Sequence, residues 1–132
     1  MNRLELPYDG DFDPPAPVAE LRIGAPGSED RVLLRALVDT GADATVIPTA
    51  VVRRLALPLV DRVAVEGVGG RRLSVGVYAA SARIAGLEYL VRVVALGHEA
   101  LVGRDLLNRL VARLDGPGLR ALMRAPAKQS SR

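Results

Sequence analysis

The segment at residues 36–47, ALVDTGADATVI, constrains the fold of this chain more than any other. Three apolar residues lead into Asp39, Thr40 and Gly41, and apolar residues resume at Val46. Because Asp and Gly are poor strand residues and good turn residues, a strand is expected to end at Asp39 in a tight loop. A carboxylate held on such a loop, between two buried segments, is a candidate for acid–base chemistry.

The tripeptide Asp-Thr-Gly by itself leaves two interpretations open. At average residue usage it occurs by chance in roughly one chain in fifty of this length. A plain turn between two strands, with Asp39 exposed, would give the same pattern. The apolar flanks of the tripeptide and a second motif far downstream favour the functional interpretation.

Short alternating apolar segments on both sides of this loop predict an all-β, barrel-like or sandwich-like domain. The predicted strands are residues 18–23, 31–38, 63–65, 73–77, 87–96, 111–114 and 119–123. Two short helices are predicted at residues 49–57, where Pro48 suits the start and Pro58 the end, and at residues 104–110.

Proline and glycine divide the chain into three parts. Residues 1–17 are expected to form an extended arm without regular structure of its own, with a short edge strand at Leu4 and Leu6 as the alternative. Residues 18–124 form the predicted domain, and residues 125–132, APAKQSSR, a disordered tail.

Composition excludes several classes of site. The chain has no cysteine and one histidine, so thiol catalysis, thiolate metal sites and any site built on two histidines are excluded. The net charge of +3 comes from scattered arginines, and the four aromatic residues are too dispersed for a base-stacking platform. Nucleic acid is therefore not an expected partner. Neither a membrane-spanning run nor a signal peptide is present in this sequence, which predicts no membrane partner and a cytoplasmic location.

A glycine-rich turn interrupts the predicted strand pair after Val65. The sequence Glu66-Gly67-Val68-Gly69-Gly70 is typical of a flexible hairpin tip. A plain turn and a mobile lid over a cleft are equally compatible with it. It does not fit a phosphate loop, because no lysine–serine or lysine–threonine pair and no helix follow it.

Taken in order, DTGAD, GVGG and LVGRDLL resemble the motifs of retropepsin-type aspartic proteases, a single-domain class found in retroviruses and in bacterial and eukaryotic chains. The resemblance covers about residues 18–123. It implies an acid-protease barrel with a glycine-rich flap hairpin, hydrolysis of peptide bonds, and neither a cofactor nor a metal.

The resemblance also implies a role for individual residues. Asp39 would be the catalytic aspartate, Thr40 would bond across a dimer interface, and Gly41 would donate an N–H toward substrate or carboxylate. Gly103 and Arg104 would support the loop, with Arg104 paired to Asp43. The implied substrate-binding residues are Ala42, Asp43, Gly67, Val68, Gly69, Gly70, Leu101 and Val102, the last two also bracing the catalytic loop from behind.

The chemistry requires a second molecule. Aspartic proteolysis needs two carboxylates that share one proton, and this chain offers one Asp-Thr-Gly and is too short for two lobes. The second carboxylate must come from Asp39 of another copy, which makes the expected enzyme a homodimer. Residues 119–123, and Leu4 to Leu6 as a further candidate, are expected to supply strands to the dimer. Alternatives are a non-proteolytic dimeric module that binds peptides or proteins and, less favoured, a basic nucleic-acid-binding β-domain.

Overall fold

A computed structural model of the chain describes residues 3–127. Ten strands and two helices follow the chain in the order β1 (Arg3–Pro7), β2 (Val18–Gly24), β3 (Arg31–Val38), β4 (Val46–Ile47), α1 (Thr49–Leu55), β5 (Leu59–Glu66), β6 (Arg72–Ile84), β7 (Leu87–Ala95), β8 (Ala100–Val102), α2 (Arg104–Leu107), β9 (Val111–Asp115) and β10 (Arg120–Arg124). The predicted all-β class with two short helices is confirmed. Both helices end earlier than predicted, at Leu55 and Leu107.

Six strands close into a barrel. They pair in the order β2-β3-β8-β4-β7-β6, and β6 returns to β2 through the pairs Arg22–Arg83 to Gly24–Ser81. Alternation decides which side chains fill it: in β2, Ala19, Leu21 and Ile23 are fully buried. Strand β5 pairs only at the outer edge of β6 and projects from the barrel as a hairpin.

Strands β3 and β8 carry the repeated triplet Ala-Leu-Val and lie side by side. They run parallel, with Ala36 opposite Ala100 and Val38 opposite Val102. Identical sequences in register thus end at the same level, where one copy continues into Asp39 and the other into Gly103. This pairing places the second motif of the sequence directly against the catalytic-loop candidate.

The N-terminal arm contains regular structure, so the prediction of an arm without it is wrong. Strand β1 pairs antiparallel with β10, which also pairs with β9, and the three form a separate sheet. The alternative of a short edge strand at Leu4 and Leu6 is confirmed, because β1 contains both residues. Leu4 also packs against the core. Residues 125–127 lack regular structure, and the rest of the predicted disordered tail, residues 128–132, lies outside the described part of the chain.

An ion-pair cluster joins the turn before β3 to the β6–β7 hairpin. Arg31 and Arg83 both contact Glu88 Oε1 at 2.7 Å, and Arg83 Nη2 lies 3.6 Å from Glu29. The Arg83 hydrogen bond lowers the pKa of Glu88, and the same bond raises the pKa of Arg83. Both groups are exposed, and the cluster lines a different part of the surface from the catalytic-loop candidate.

In the described part of the chain, no helix is long and apolar enough to cross a membrane.

Candidate active site

Asp39 lies on a loop that its own backbone and a neighbouring strand hold in place. Its N–H donates to the carbonyl of Val102 at 3.0 Å, which extends the β3–β8 pairing by one bond. Its Oδ1 accepts the N–H of Gly41 at 2.9 Å, and its carbonyl accepts the N–H of Ala42 at 3.3 Å. The carboxylate is therefore oriented by a main-chain donor while remaining half-exposed.

The segment after β8 supports this loop from below. Arg104 donates its backbone N–H to the carbonyl of Ala42 at 2.8 Å and its Nη1 to the carbonyl of Thr40. The predicted ion pair between Arg104 and Asp43 does not form within 4 Å, because the start of α2 is fixed beneath the loop and the guanidinium reaches Thr40 instead. Arg104 keeps its supporting position through a different contact.

Gly103 is where the two segments come closest. A Cβ built at this position would lie 2.6 Å from both the carbonyl carbon and the oxygen of Ala44, and 3.0 Å from the carbonyl oxygen of Ala42. These are backbone atoms, so no side-chain rotation can relieve the clash. The identity of this residue is set by the close approach, since its φ of −91° is open to any residue.

Gly103→Ala is expected to lower the free energy of unfolding by about 1–3 kcal/mol, because the loop must shift to admit one methyl group. The variant is also expected to lose a larger fraction of its kcat than of its stability, because the shift displaces Ala42 and Ala44 beside Asp39. Urea unfolding and peptidase assays on the same preparation measure both. Gly116→Ala, at a turn with open space around the added methyl, is the matched control. Equal stability of the two variants would contradict the close-approach argument.

A buried polar network that sequence reasoning missed lies behind the loop. The Thr45 hydroxyl, with no exposed surface, donates to Asp105 Oδ1 at 2.7 Å and accepts the Gly103 N–H at 3.2 Å. The Thr45 N–H donates to Asp105 Oδ2 at 3.1 Å. One carboxylate thus accepts from both hydrogen-bond donors of Thr45 and ties the residue before β4 to α2. The only signal available beforehand was a threonine among apolar residues.

A groove of about 580 Å³ opens beside the loop. It is lined by the loop after Asp39, by β4, by β5 of the projecting hairpin, and by β6 and β7. The lining residues are Ala42, Asp43, Ala44, Val46, Asp61, Val63, Ala64, Val65, Val77, Arg92, Val94 and Leu96. Most are small or branched apolar residues, with the charges of Asp43, Asp61 and Arg92 among them. Such a lining suits an extended chain with apolar side chains.

The projecting hairpin ends in a tight glycine turn. Gly67 donates its N–H to Arg71 at 2.7 Å, and Gly69 and Gly70 have φ of 83° and 75°, where side chains are strained. Gly67, Gly69 and Gly70 do not line the groove, which β5 reaches at Asp61 to Val65. The side chain of Val68 lies outside the described part of the structure. Substrate contact by Gly67, Val68, Gly69 and Gly70 stays a prediction.

Neither of the two β8 residues that were predicted to bind substrate lines the groove. Leu101 is half-buried between β3 and β4, whereas Val102 has no exposed surface. Val102 therefore does not line the groove: a side chain alternating with Leu101 on a strand inside the barrel points into the core. It supports the loop through its carbonyl. In the described chain, no group of three carboxylate or imidazole side chains is placed to hold a metal ion.

Comparison with known proteins identifies the family. The family model described as "gag-polyprotein putative aspartyl protease" matches residues 28–109, more than half of the chain and including all three motifs. The EIAV protease, solved in complex with the inhibitor HBY-793, is 26% identical, with 70% of this chain and 86% of that chain covered and a TM-score of 0.53. No curated protein matches the chain significantly.

Two further solved structures share the fold. A retropepsin-like aspartic protease from Rickettsia conorii superposes over 93% of this chain and 90% of its own, with a TM-score of 0.64 and 16% identity. The Simian Foamy Virus (mac) protease covers 67% of this chain and 88% of its own, with a TM-score of 0.51 and 19% identity. The barrel, the Asp-Thr-Gly loop and the family match agree, and the chain belongs to the gag-polyprotein aspartyl protease family as a retropepsin-type aspartic endopeptidase.

Proposed function

We propose that this protease acts as a homodimer in which Asp39 of each subunit supplies one of two catalytic carboxylates. The observation that carries the proposal is the loop itself. It presents one half-exposed aspartate, with Oδ1 held by the Gly41 N–H and with Oδ2 free of hydrogen bonds to the described residues. One chain thus offers half of the required pair, and a two-fold axis beside the loop would supply the other half.

In the dimer, the two Asp39 carboxylates share a single proton, because two like charges at contact distance cannot both stay ionised. The ionised carboxylate removes a proton from a water molecule, which attacks the carbonyl carbon of the peptide bond. The protonated carboxylate donates a hydrogen bond to the carbonyl oxygen and stabilises the charge that develops there. The proton taken from water then passes to the leaving nitrogen as the carbon–nitrogen bond breaks, and the dyad again holds its single proton.

The groove supports an extended peptide with apolar side chains as the substrate. A two-fold axis at Asp39 joins the groove of one subunit to that of its partner, so a peptide of several residues on each side of the cleaved bond would be held. The projecting hairpin is the flap that covers it, and its glycine tip permits the movement. Thr40, exposed at the loop, stays our candidate for a hydrogen bond across the dimer. A cytoplasmic location also stays a prediction.

Specific activity is expected to fall on dilution, since a monomer holds no catalytic pair. Below the dimer dissociation constant, activity per milligram should drop about tenfold for each tenfold dilution. A fluorogenic apolar peptide, assayed across protein concentrations beside sedimentation velocity, measures both quantities. Constant specific activity in a range where the protein sediments as a monomer would exclude a shared dyad.

A further inference from the structure

A second cavity, of about 350 Å³, adjoins the groove at the end marked by Arg92. Arg92 lines both, and in β5 Val60 lines the cavity while its neighbour Asp61 lines the groove. We call this cavity the distal shelf. Its lining residues are Pro26, Val60, Ala79, Ala80, Leu90, Val91 and Arg92. The distal shelf is therefore continuous with the groove.

The strand register places the groove and the distal shelf on one face of the sheet. Side chains of a strand alternate between its faces, so Val94, Arg92 and Leu90 of β7 lie on the same face. Val94 lines the groove, Leu90 lines the shelf, and Arg92 lies between them. Leu90 is about 13 Å from Val94 along β7, a distance that about four residues of an extended peptide cover.

The distal shelf exposes apolar side chains beside small ones. Leu90 is 70% exposed and Val60 46% exposed, although both belong to strands. The partner of Leu90 on β6 is Ser81, a small and buried residue, which leaves Leu90 standing above its surroundings. The next pair on this face, Arg83 and Glu88, belongs to the ion-pair cluster and ends the shelf. A contiguous exposed apolar surface of this kind marks a binding site.

Arg92 gives the distal shelf a positive charge at its junction with the groove. Among the described residues that line the shelf, Arg92 alone is charged, since Asp43 and Asp61 line the groove but not the shelf. The Arg92 side chain is exposed, and no carboxylate of residues 3–127 lies within 4 Å of its guanidinium. A ligand with one acidic group beside an apolar group therefore complements the shelf.

We propose that the distal shelf binds the substrate polypeptide beyond the groove, with an acidic side chain at Arg92 and an apolar side chain at Leu90. Residues two positions apart in an extended peptide face the same way, about 7 Å apart, which matches the spacing of Arg92 and Leu90. The preferred sequence is an acidic residue and, two positions farther from the cleaved bond, an apolar residue. A two-fold axis offers one shelf to each end of the peptide. This inference rests on the proposed function and narrows its substrate class.

Peptide length tests the distal shelf. A short fluorogenic peptide carries only the apolar residues around the cleaved bond, and longer peptides add the acidic and apolar pair at either end, moved outward one residue at a time. In the best register the extension should raise kcat/KM about tenfold, because part of an apolar side chain leaves water and one ion pair forms. An extension with serine and lysine in place of the apolar and acidic residues should not raise it.

Leu90→Thr should remove most of the effect of the extension, because it shortens the apolar contact while keeping a residue that suits a strand. Leu33→Thr is the matched control, since Leu33 is an exposed strand leucine, at 48%, outside both the groove and the shelf. The measured quantity is the ratio of kcat/KM for the extended and short peptides, in which a partial loss of folded enzyme cancels. A ratio that both variants share with wild type would overturn the inference.

Arg92→Glu should reverse the charge preference of the distal shelf. Wild type should favour aspartate over lysine at the acidic position of the extension by about threefold, and the variant should favour lysine by about as much, the size of an exposed ion pair. Misfolding cannot produce a reversal, since it lowers both rates. The same preference in the two proteins would contradict the proposed site.

The outcomes separate this inference from the proposed function. An enzyme whose activity falls on dilution, but whose kcat/KM is equal for short and extended peptides, overturns the shelf and leaves the shared dyad standing. Asp39→Asn tests the shelf without cleavage: by fluorescence anisotropy it should bind the extended peptide about tenfold more tightly than the short one. Unchanged peptide ratios, with weaker self-association of Leu90→Thr in sedimentation velocity, would assign the shelf to a second copy of the chain and overturn the inference.

Discussion

Asp39→Asn is expected to lower kcat for peptide hydrolysis by about 10²- to 10⁴-fold, the range that acid–base groups contribute. The amide cannot take the proton of the attacking water, and it cannot share a proton with the Asp39 of a partner. Its oxygen can still accept the Gly41 N–H, so the loop and the melting temperature should change little. Peptidase assay and thermal unfolding of the same sample measure the two effects. Asp30→Asn, at an exposed turn, is the control.

Mixing the variant with wild-type protein tests whether the pair is shared. When equal amounts exchange subunits, about one quarter of the dimers carry two aspartates, so activity should fall to about one quarter of that of the same total of wild-type protein. Independent active sites would retain about half. Activity near one half after complete exchange, or hydrolysis by Asp39→Asn alone, would rule out the proposed mechanism.

Thr45→Val is expected to lower the free energy of unfolding by about 2–4 kcal/mol although the two side chains have nearly the same shape. Valine leaves the buried Gly103 N–H without an acceptor and removes one of the two donors to Asp105 Oδ1, which keeps only the Leu106 N–H. In a domain of this size the loss corresponds to a melting temperature roughly 10 °C lower. Chemical and thermal denaturation provide the measurement.

Thr45→Ser is the matched control, because it keeps the hydroxyl and removes only a buried methyl group, at a cost of about 1 kcal/mol. The expected order of stability is wild type, then serine, then valine, whereas apolar burial alone would place valine first and serine last. If the valine variant were as stable as wild type, the hydrogen bonds of Thr45 would not hold the catalytic loop in place.

Features that depend on neighbours in sequence were predictable. Strand β3 was predicted with its observed bounds, because apolar residues lead up to Asp39 and turn residues end the strand. The Ala-Leu-Val triplet occurs twice in the sequence, and the structure pairs the two copies in register. The motifs were sufficient for the family because their residues are fixed by close backbone contacts, as at Gly103.

Features that depend on distant partners were not predictable. Thr45 and Asp105 are 60 residues apart, and in sequence each is an ordinary polar residue. Arg104 was predicted to pair with the carboxylate of Asp43, but its guanidinium donates to the backbone carbonyl of Thr40 instead. Val102 was predicted to bind substrate, but it is buried in the core. Alternation along a three-residue strand cannot show which of its faces meets the core. Arg92 lines the groove because of the position of β7 in the barrel, which the sequence alone does not show.

The pairing of β1 with β10 has a consequence for the timing of synthesis. Arg3 lies opposite Arg124, so the terminal sheet joins residues from the two ends of the domain. A nascent chain on the ribosome cannot complete that sheet until Arg124 has emerged, and closing so long a loop is a slow step. The terminal sheet, and any activity that depends on it, therefore forms only once residues 3–124 have all been synthesised.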